Sequence, residues 1–191
     1  MVTPDIINQA FLLGIKHIGE NKVQEFTQKH QFYPPACYHF IGHLQTNKVK
    51  QIVGKAHLIQ SVDSIKLLTA INNCAEALDI TQDILLEVNV AKDEAKHGFF
   101  EEDVFNALCI ASSLKNVCVK GLMTVLPKCE NQNKLASLCL QMRKLYDIIK
   151  EGNQSIEYLS MGMSSDYLTA IECGSNTIRI GSLLFGERHY N

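Results

Sequence analysis

The sequence predicts a parallel α/β fold, and three observations carry that expectation. Strand-like and helix-like segments alternate from end to end of the 191 residues, the pattern of a parallel sheet joined by crossover helices. The segment Asp83–Val90 holds a nearly continuous apolar run, Ile84, Leu85, Leu86, Val88 and Val90, as a strand buried on both faces requires. Near the C-terminus, Tyr158-Leu-Ser-Met-Gly-Met-Ser-Ser-Asp166 and Asn176-Thr-Ile-Arg-Ile-Gly-Ser182 each read as a short strand that ends in a Gly/Ser turn and opens a helix.

Taken in order, the first helix is expected from Pro4 to Leu13. Proline suits a first helical turn, and Ile6, Ile7, Ala10, Phe11 and Leu12 supply an apolar face, with Gly14 as the stop. A strand at Lys16–Gly19 leads to a helix over Lys22–His30. The second strand, Cys37–Ile41, precedes a helix over Thr46–Val53, and the third is Ala56–Ile59. Asp63 or Ser64 caps a helix over Ile65–Ala77. After the fourth strand, the polar segment Ala91–Gly98 leads into a helix over Glu101–Ser113, then a fifth strand at Val117–Leu122. A longer helix over Asn133–Glu151 puts Leu135, Leu138, Leu145, Ile148 and Ile149 on one side. The sixth strand is Ile156–Ser160, with a helix over Ser165–Cys173 capped by Gly174, and the seventh is Thr177–Ile180 before a short helix from Ser182.

A doubly wound sheet and a barrel both fit this alternation. The two late Gly/Ser turns favour the barrel. Unpaired N–H groups at a helix start carry about half a positive charge, and the loops after the last two strands of a βα barrel are where a phosphate most often sits. Gly162 and Gly181 let backbone approach an anion, and Ser164 and Ser182 offer hydroxyls to it. A closed (β/α)8 barrel needs eight strands. The count here is seven and the chain opens on a helix, so a barrel lacking its first strand is expected.

Composition excludes several classes. Apolar residues are 46% and charged residues 20%, with a net charge of −2, which gives no electrostatic case for nucleic acid or anionic membrane. No apolar stretch approaches a membrane span, and Met1-Val-Thr-Pro-Asp5 lacks the basic start of a signal peptide. A cytoplasmic, single-domain, monomeric protein is expected. The seven cysteines are irregularly spaced without a CxxC, so reduced and mostly buried thiols are expected. The seven histidines are dispersed, and Gly42 interrupts any helix that would pair His39 with His43. No metal site is expected.

Gly19-Glu-Asn21, His39-Phe-Ile-Gly-His-Leu-Gln-Thr-Asn-Lys48, Gly121-Leu-Met123, Leu159-Ser-Met-Gly-Met-Ser-Ser-Asp166, Arg179-Ile-Gly181 and Phe185-Gly-Glu-Arg188 occur in that order. Together they resemble the pyridoxal phosphate homeostasis protein (YggS/PROSC) family. Singly most are weak; in this order, over nearly the whole chain, they are highly specific. The resemblance implies the fold of the alanine racemase N-terminal domain, a TIM barrel carrying pyridoxal 5′-phosphate. It implies a non-catalytic role in balancing vitamin B6 and amino-acid pools, with the cofactor and amino acids as small-molecule partners. Carried over, Ser164 and the backbone at Gly181 and Ser182 would hold the phosphate, and Arg179 would face the pyridine nitrogen. Asn21 would approach the ring, and His39 and Met161 would line the same mouth.

Arg179 stands on its own chemistry as well. A guanidinium amid Ile178, Ile180 and Leu183 needs a partner. Against a ring nitrogen it disfavours protonation there, which makes the ring a poorer electron sink. The plainer reading is an arginine paired with a carboxylate. The family also binds the cofactor aldehyde as a Schiff base on a lysine at the end of the first barrel strand. Counted back from Gly19-Glu-Asn21, that lysine would stand immediately before Met1. A truncated or late-assigned start is expected, in preference to a variant that binds without a covalent bond. Lys16, Lys22 and Lys48 lie near strand ends; Lys22 is the best placed substitute, but a solvated helix-face lysine is the expected reading. Two alternatives remain. One is a racemase-like or decarboxylase enzyme of the same barrel class, which would add a second domain. The other is an unrelated phosphate-binding isomerase with Glu87 or Glu20 as general base, Glu87 being raised by burial or, more plainly, paired with Arg179 or a lysine.

Overall fold

The computed structural model describes residues 2–33 and 38–186. The expected start of the second strand at Cys37 and the motif residues Glu187 and Arg188 lie outside the described residues. Seven strands form one sheet in the order of the sequence: β1 (Ile18–Glu20), β2 (Tyr38–Phe40), β3 (Leu58–Val62), β4 (Gln82–Glu87), β5 (Val117–Met123), β6 (Tyr158–Met163) and β7 (Thr177–Arg179). Every neighbouring pair is parallel. An order that never reverses has no topological switch point, which separates this sheet from a doubly wound one. It is a nearly closed barrel with one seam: among the described residues β7 and β1 are not hydrogen-bonded to each other.

The helices are α1 (Pro4–Leu12), α2 (Val23–Lys29), α3 (Ile65–Glu76), α4 (Glu101–Ser113), α5 (Gln132–Glu151), α6 (Tyr167–Glu172) and α7 (Ser182–Phe185). Local chemistry sets their starts. The Ser64 hydroxyl oxygen accepts the Leu67 N–H at 3.3 Å and caps α3. Asn131 Oδ1 does the same for Lys134 at the start of α5. Glu101, Glu102 and Asp103 fill the first turn of α4, where the helix dipole favours acid.

Successive strand residues point to opposite faces. On the outer face Phe40, Ile59, Ile84, Leu86, Leu122, Leu159 and Met161 pack with Phe26, Leu68, Ile71, Val104, Leu135 and Leu145 of the helix layer. Inside the barrel Leu58, Leu85 and Met123 form a smaller apolar plug.

Several elements differ from the sequence reading; the first strand, expected at Lys16–Gly19, is Ile18–Glu20, and the third, expected at Ala56–Ile59, is Leu58–Val62. Thr46–Gln51 is a 3₁₀ turn. Only Val49 is buried on it, too little apolar face to hold a two-turn α-helix. β4 stops at Glu87, because the chain beyond it bridges to Phe99 across a loop, the Phe99 N–H donating to the Glu87 carbonyl and the Asn89 N–H to the Phe99 carbonyl, each at 2.8 Å. β6 runs on through Gly162 to Met163, where the strand pairs with Arg179 after a register shift. The helix-opening turn therefore begins at Ser164. The six cysteines among the described residues are free, and no helix among those residues is long and apolar enough to cross a membrane.

Candidate functional site

The C-terminal ends of β6 and β7 meet at the barrel mouth. The turn after β6 is shaped by Asp166, a buried residue whose carboxylate accepts the Met163 N–H. This leaves the Ser164 side chain facing the next loop. Its hydroxyl oxygen accepts two backbone N–H groups at the start of α7, Gly181 at 3.2 Å and Leu183 at 3.3 Å. Ser164, Gly181 and Ser182 are thus brought together, and Gly181 and Ser182 are exposed. Among the described residues, its chain neighbours aside, nothing lies within 4 Å of the position a Cβ at Gly181 would take. Gly162 has a different use from the one the sequence suggested. A Cβ there would stand 2.7 Å from the Ala170 Cβ, so the glycine lets α6 pack on β6.

Arg179, the last residue of β7, turns into the barrel. Its Nη1 donates to the Ser160 hydroxyl at 2.7 Å and its Nη2 to the Thr124 carbonyl at 2.7 Å. A hydroxyl and a carbonyl hold this guanidinium, and no carboxylate among the described residues is hydrogen-bonded to it. Burial lowers its pKa to about 10, against the pull of Glu87 and Asp166, so it stays charged at neutral pH.

From Arg179 a hydrogen-bond chain crosses the interior. Ser160 Oγ donates to Gln60 Oε1 at 2.7 Å, and Gln60 Nε2 meets His39 Nδ1 at 3.0 Å. The amide nitrogen can only donate, so His39 Nδ1 accepts and the proton of the neutral ring sits on Nε2. That Nε2–H is buried with no hydrogen-bond partner among the described residues. Burial, then His17 and His57 beside it, lower the His39 pKa to about 4. The relay thus ends in a neutral imidazole that has a donor to give.

Glu87, at the end of β4, is buried at the same mouth. Burial and then Asp63 raise its pKa to about 7, with Arg179 acting in the opposite direction. The pairing with Arg179 that the sequence suggested is not made; Arg179 spends its donors elsewhere. Glu20 belongs outside the barrel, where its carboxylate is 3.0 Å from Lys29 Nζ of α2. Asn21 is exposed and lines a cavity of about 200 Å³ with Lys22, Val23, Gln24, His43, Gln45 and Lys48. Lys22 pairs with Glu25 at 3.6 Å, in keeping with a helix-face role. Met161 is a correction. It alternates with the inward Ser160, is fully buried in the core beneath the helices, and does not line the mouth.

Gln60, Ser160 and Thr124 went unassigned in the sequence. Their signal was a polar side chain inside or beside an apolar strand, as in Ile59-Gln60-Ser61-Val62. The dispersal of the histidines also does not survive folding, because His43 and His97 stack at the mouth with centroids 3.8 Å apart. A larger cavity, about 480 Å³ between α4, α5 and the start of β5, contains none of these residues.

The class follows from the barrel and is that of the alanine racemase N-terminal domain, whose family description matches residues 6–189. Over 192 residues the chain is 43% identical to the pyridoxal phosphate homeostasis protein of Aquifex aeolicus, covering 99% of this chain and 84% of that protein. With the protein of that name from Helicobacter pylori (strain ATCC 700392 / 26695) it shares 36% over 189 residues, 97% of this chain and 83% of the other. The structure of PipY from Synechococcus elongatus with pyridoxal phosphate bound superposes with a TM-score of 0.84 at 31% identity, over 95% of this chain and 87% of that one. The chain belongs to the pyridoxal phosphate homeostasis protein family.

Proposed function

We propose that this protein binds pyridoxal 5′-phosphate at the barrel mouth and serves as a non-catalytic carrier in vitamin B6 homeostasis, a cytosolic monomer folded as one domain. The observation that carries the reading is the Ser164 cradle. Two N–H groups at the start of α7 converge on one hydroxyl oxygen, which is the arrangement an anionic oxygen needs, with open space at Gly181 beside it. The residues fit the cofactor at the other end too, since Arg179 carries a positive charge into the interior that is hydrogen-bonded to neutral groups, Ser160 and Thr124. The homologues named for pyridoxal phosphate homeostasis and the PipY structure with the cofactor bound support the same assignment.

In this reading Ser164, Gly181 and Ser182 hold the phosphate. Arg179 faces the pyridine nitrogen, and Asn21 and His39 flank the ring. When bound, the cofactor supplies an aldehyde that condenses with amines and a ring able to draw electrons. Arg179 would keep a proton off the ring nitrogen, because two positive charges in contact in a buried site disfavour each other. Ser160 and Thr124 fix the guanidinium, and the relay to His39 offers a hydrogen-bond donor rather than a charge. These residues bind and damp; none of them is poised to take a proton from carbon. One observation favours a second reading, an isomerase-like enzyme: Glu87, with its pKa near 7, has the proton affinity of a general base.

Dialysis of the full chain against excess pyridoxal phosphate, followed by desalting and an absorbance scan, tests the proposal. A near-visible band at one equivalent is expected, with affinity reduced about tenfold or more in Ser164→Ala and Arg179→Gln. A colourless protein with no calorimetric binding overturns it, and turnover of a sugar phosphate that is lost in Glu87→Gln selects the second reading.

A further inference from the structure

Three side chains far apart in sequence converge at the mouth on the β2–β4 side. His43 follows β2, Asp63 follows β3, and His97 lies in the loop after β4. Asp63 Oδ2 is 3.0 Å from His43 Nδ1 and 3.6 Å from His97 Nδ1, and the ligand atoms of all three lie within 4.8 Å of one another. The two imidazoles stack with an interplanar angle of 11°. We propose that His43, Asp63 and His97 form a binding site for a divalent first-row transition ion of the zinc type.

Three arguments support the assignment. The first is distance. Zinc bonds to imidazole nitrogen and carboxylate oxygen are about 2.0–2.2 Å, so neighbouring ligand atoms of a tetrahedral site stand roughly 3.3–3.5 Å apart. The observed 3.0 and 3.6 Å bracket that edge. The second is donor chemistry. Two imidazoles and one carboxylate suit borderline divalent ions, and three protein ligands leave a position open for water or an exchangeable ligand. The third is support. Asp63 is largely buried, and its other oxygen accepts the Ser64 hydroxyl at 3.0 Å, which leaves Oδ2 for the imidazoles. Ser64 is itself fixed as the cap of α3. The loop bearing His97 is pinned by Gly98, at φ +115°, where a Cβ would stand 2.8 Å from the Asn89 nitrogen. Second-partner contacts of this kind orient ligands in known sites.

The rings are 43% and 58% exposed. Neither is packed against a core, so both can turn about χ2 to converge their in-plane lone pairs. The site shares the mouth with the residues proposed to hold the cofactor, but it does not depend on that assignment.

Tag-free full chain, stripped with chelator, is titrated with Zn2+ by calorimetry and with Co2+ by visible absorbance, in the absence of pyridoxal phosphate. One Zn2+ per chain is expected, with ligand-field bands of a low-symmetry Co2+ site. Affinity should fall at least about tenfold in each of His43→Ala, Asp63→Asn and His97→Ala, and should be unchanged in His30→Ala, a histidine of the α2 side. Circular dichroism checks that each variant is folded; a variant that is not is replaced by His43→Gln or His97→Gln, which keep the loop. No stoichiometric binding, or binding that persists in the His43→Ala/His97→Ala double variant, overturns the proposal; the latter outcome would place the ion elsewhere on the chain.

Discussion

The wall formed by β3, β4 and β5 and the flank formed by β7 and β1 are built very differently. In the wall the strands run five to seven residues, β3 is buried at every position, and Leu85 has no exposure at all. On the flank β7 and β1 are three residues each, and all three residues of β7 are only half-buried. The exposed apolar residues Leu12, Leu13, Leu183 and Leu184 also lie on the flanking segments. The wall supplies the cohesion, while Arg179, Gly181 and Ser182, the residues proposed to hold the cofactor, all come from the weaker side. Binding groups need access and a pliable backbone, and those are what a fully buried strand denies them.

The largest way to break the comparison is Leu85→Ala. The side chain plugs the interior with Leu58 and Met123, and its loss should cost about 2–5 kcal/mol in chemical denaturation. A cost below 1 kcal/mol would mean that the interior is not tightly packed. Glu87→Gln comes next, read against pH. The folded carboxyl titrates near 7 and the unfolded one near 4.5. The folded state therefore holds the proton more tightly, and wild-type stability falls as pH rises from about 4.5 to 7, by up to about 3 kcal/mol. Unfolding midpoints at pH 5 and pH 8 should differ less in Glu87→Gln than in the wild type; equal pH dependence would show that Glu87 is not the group responsible. Leu183→Ala is the smallest. Its side chain is 59% exposed, so stability should move by no more than about 0.5 kcal/mol. A larger loss would reveal that α7 braces the flank.

Much of this frame was legible in the chain. β4 announced itself because a strand buried on both faces is apolar at almost every position, and α5 because its leucines recur at helical spacing. The Ser164 and Gly181 turns were legible as strand–turn–helix punctuation. The end of β6 was not, because Gly162 reads as a turn residue while the structure uses it to seat α6. Met161 was misplaced for a related reason: with the strand longer than expected, its alternation with Ser160 sends it to the outer face.

By itself the sequence determined the order of strands and helices, the parallel α/β class, and the presence of an arginine that had to be satisfied somewhere. Those follow from periodicity and from the penalty on buried charge, which are properties of residues near one another along the chain. Only the tertiary structure decided that Arg179 is held by Ser160 and Thr124, that His39 is neutral with its proton on Nε2, and that His43, Asp63 and His97 share one corner. Each of those depends on residues that parallel pairing aligns from separate strands and loops, and no local pattern records which of them will face one another.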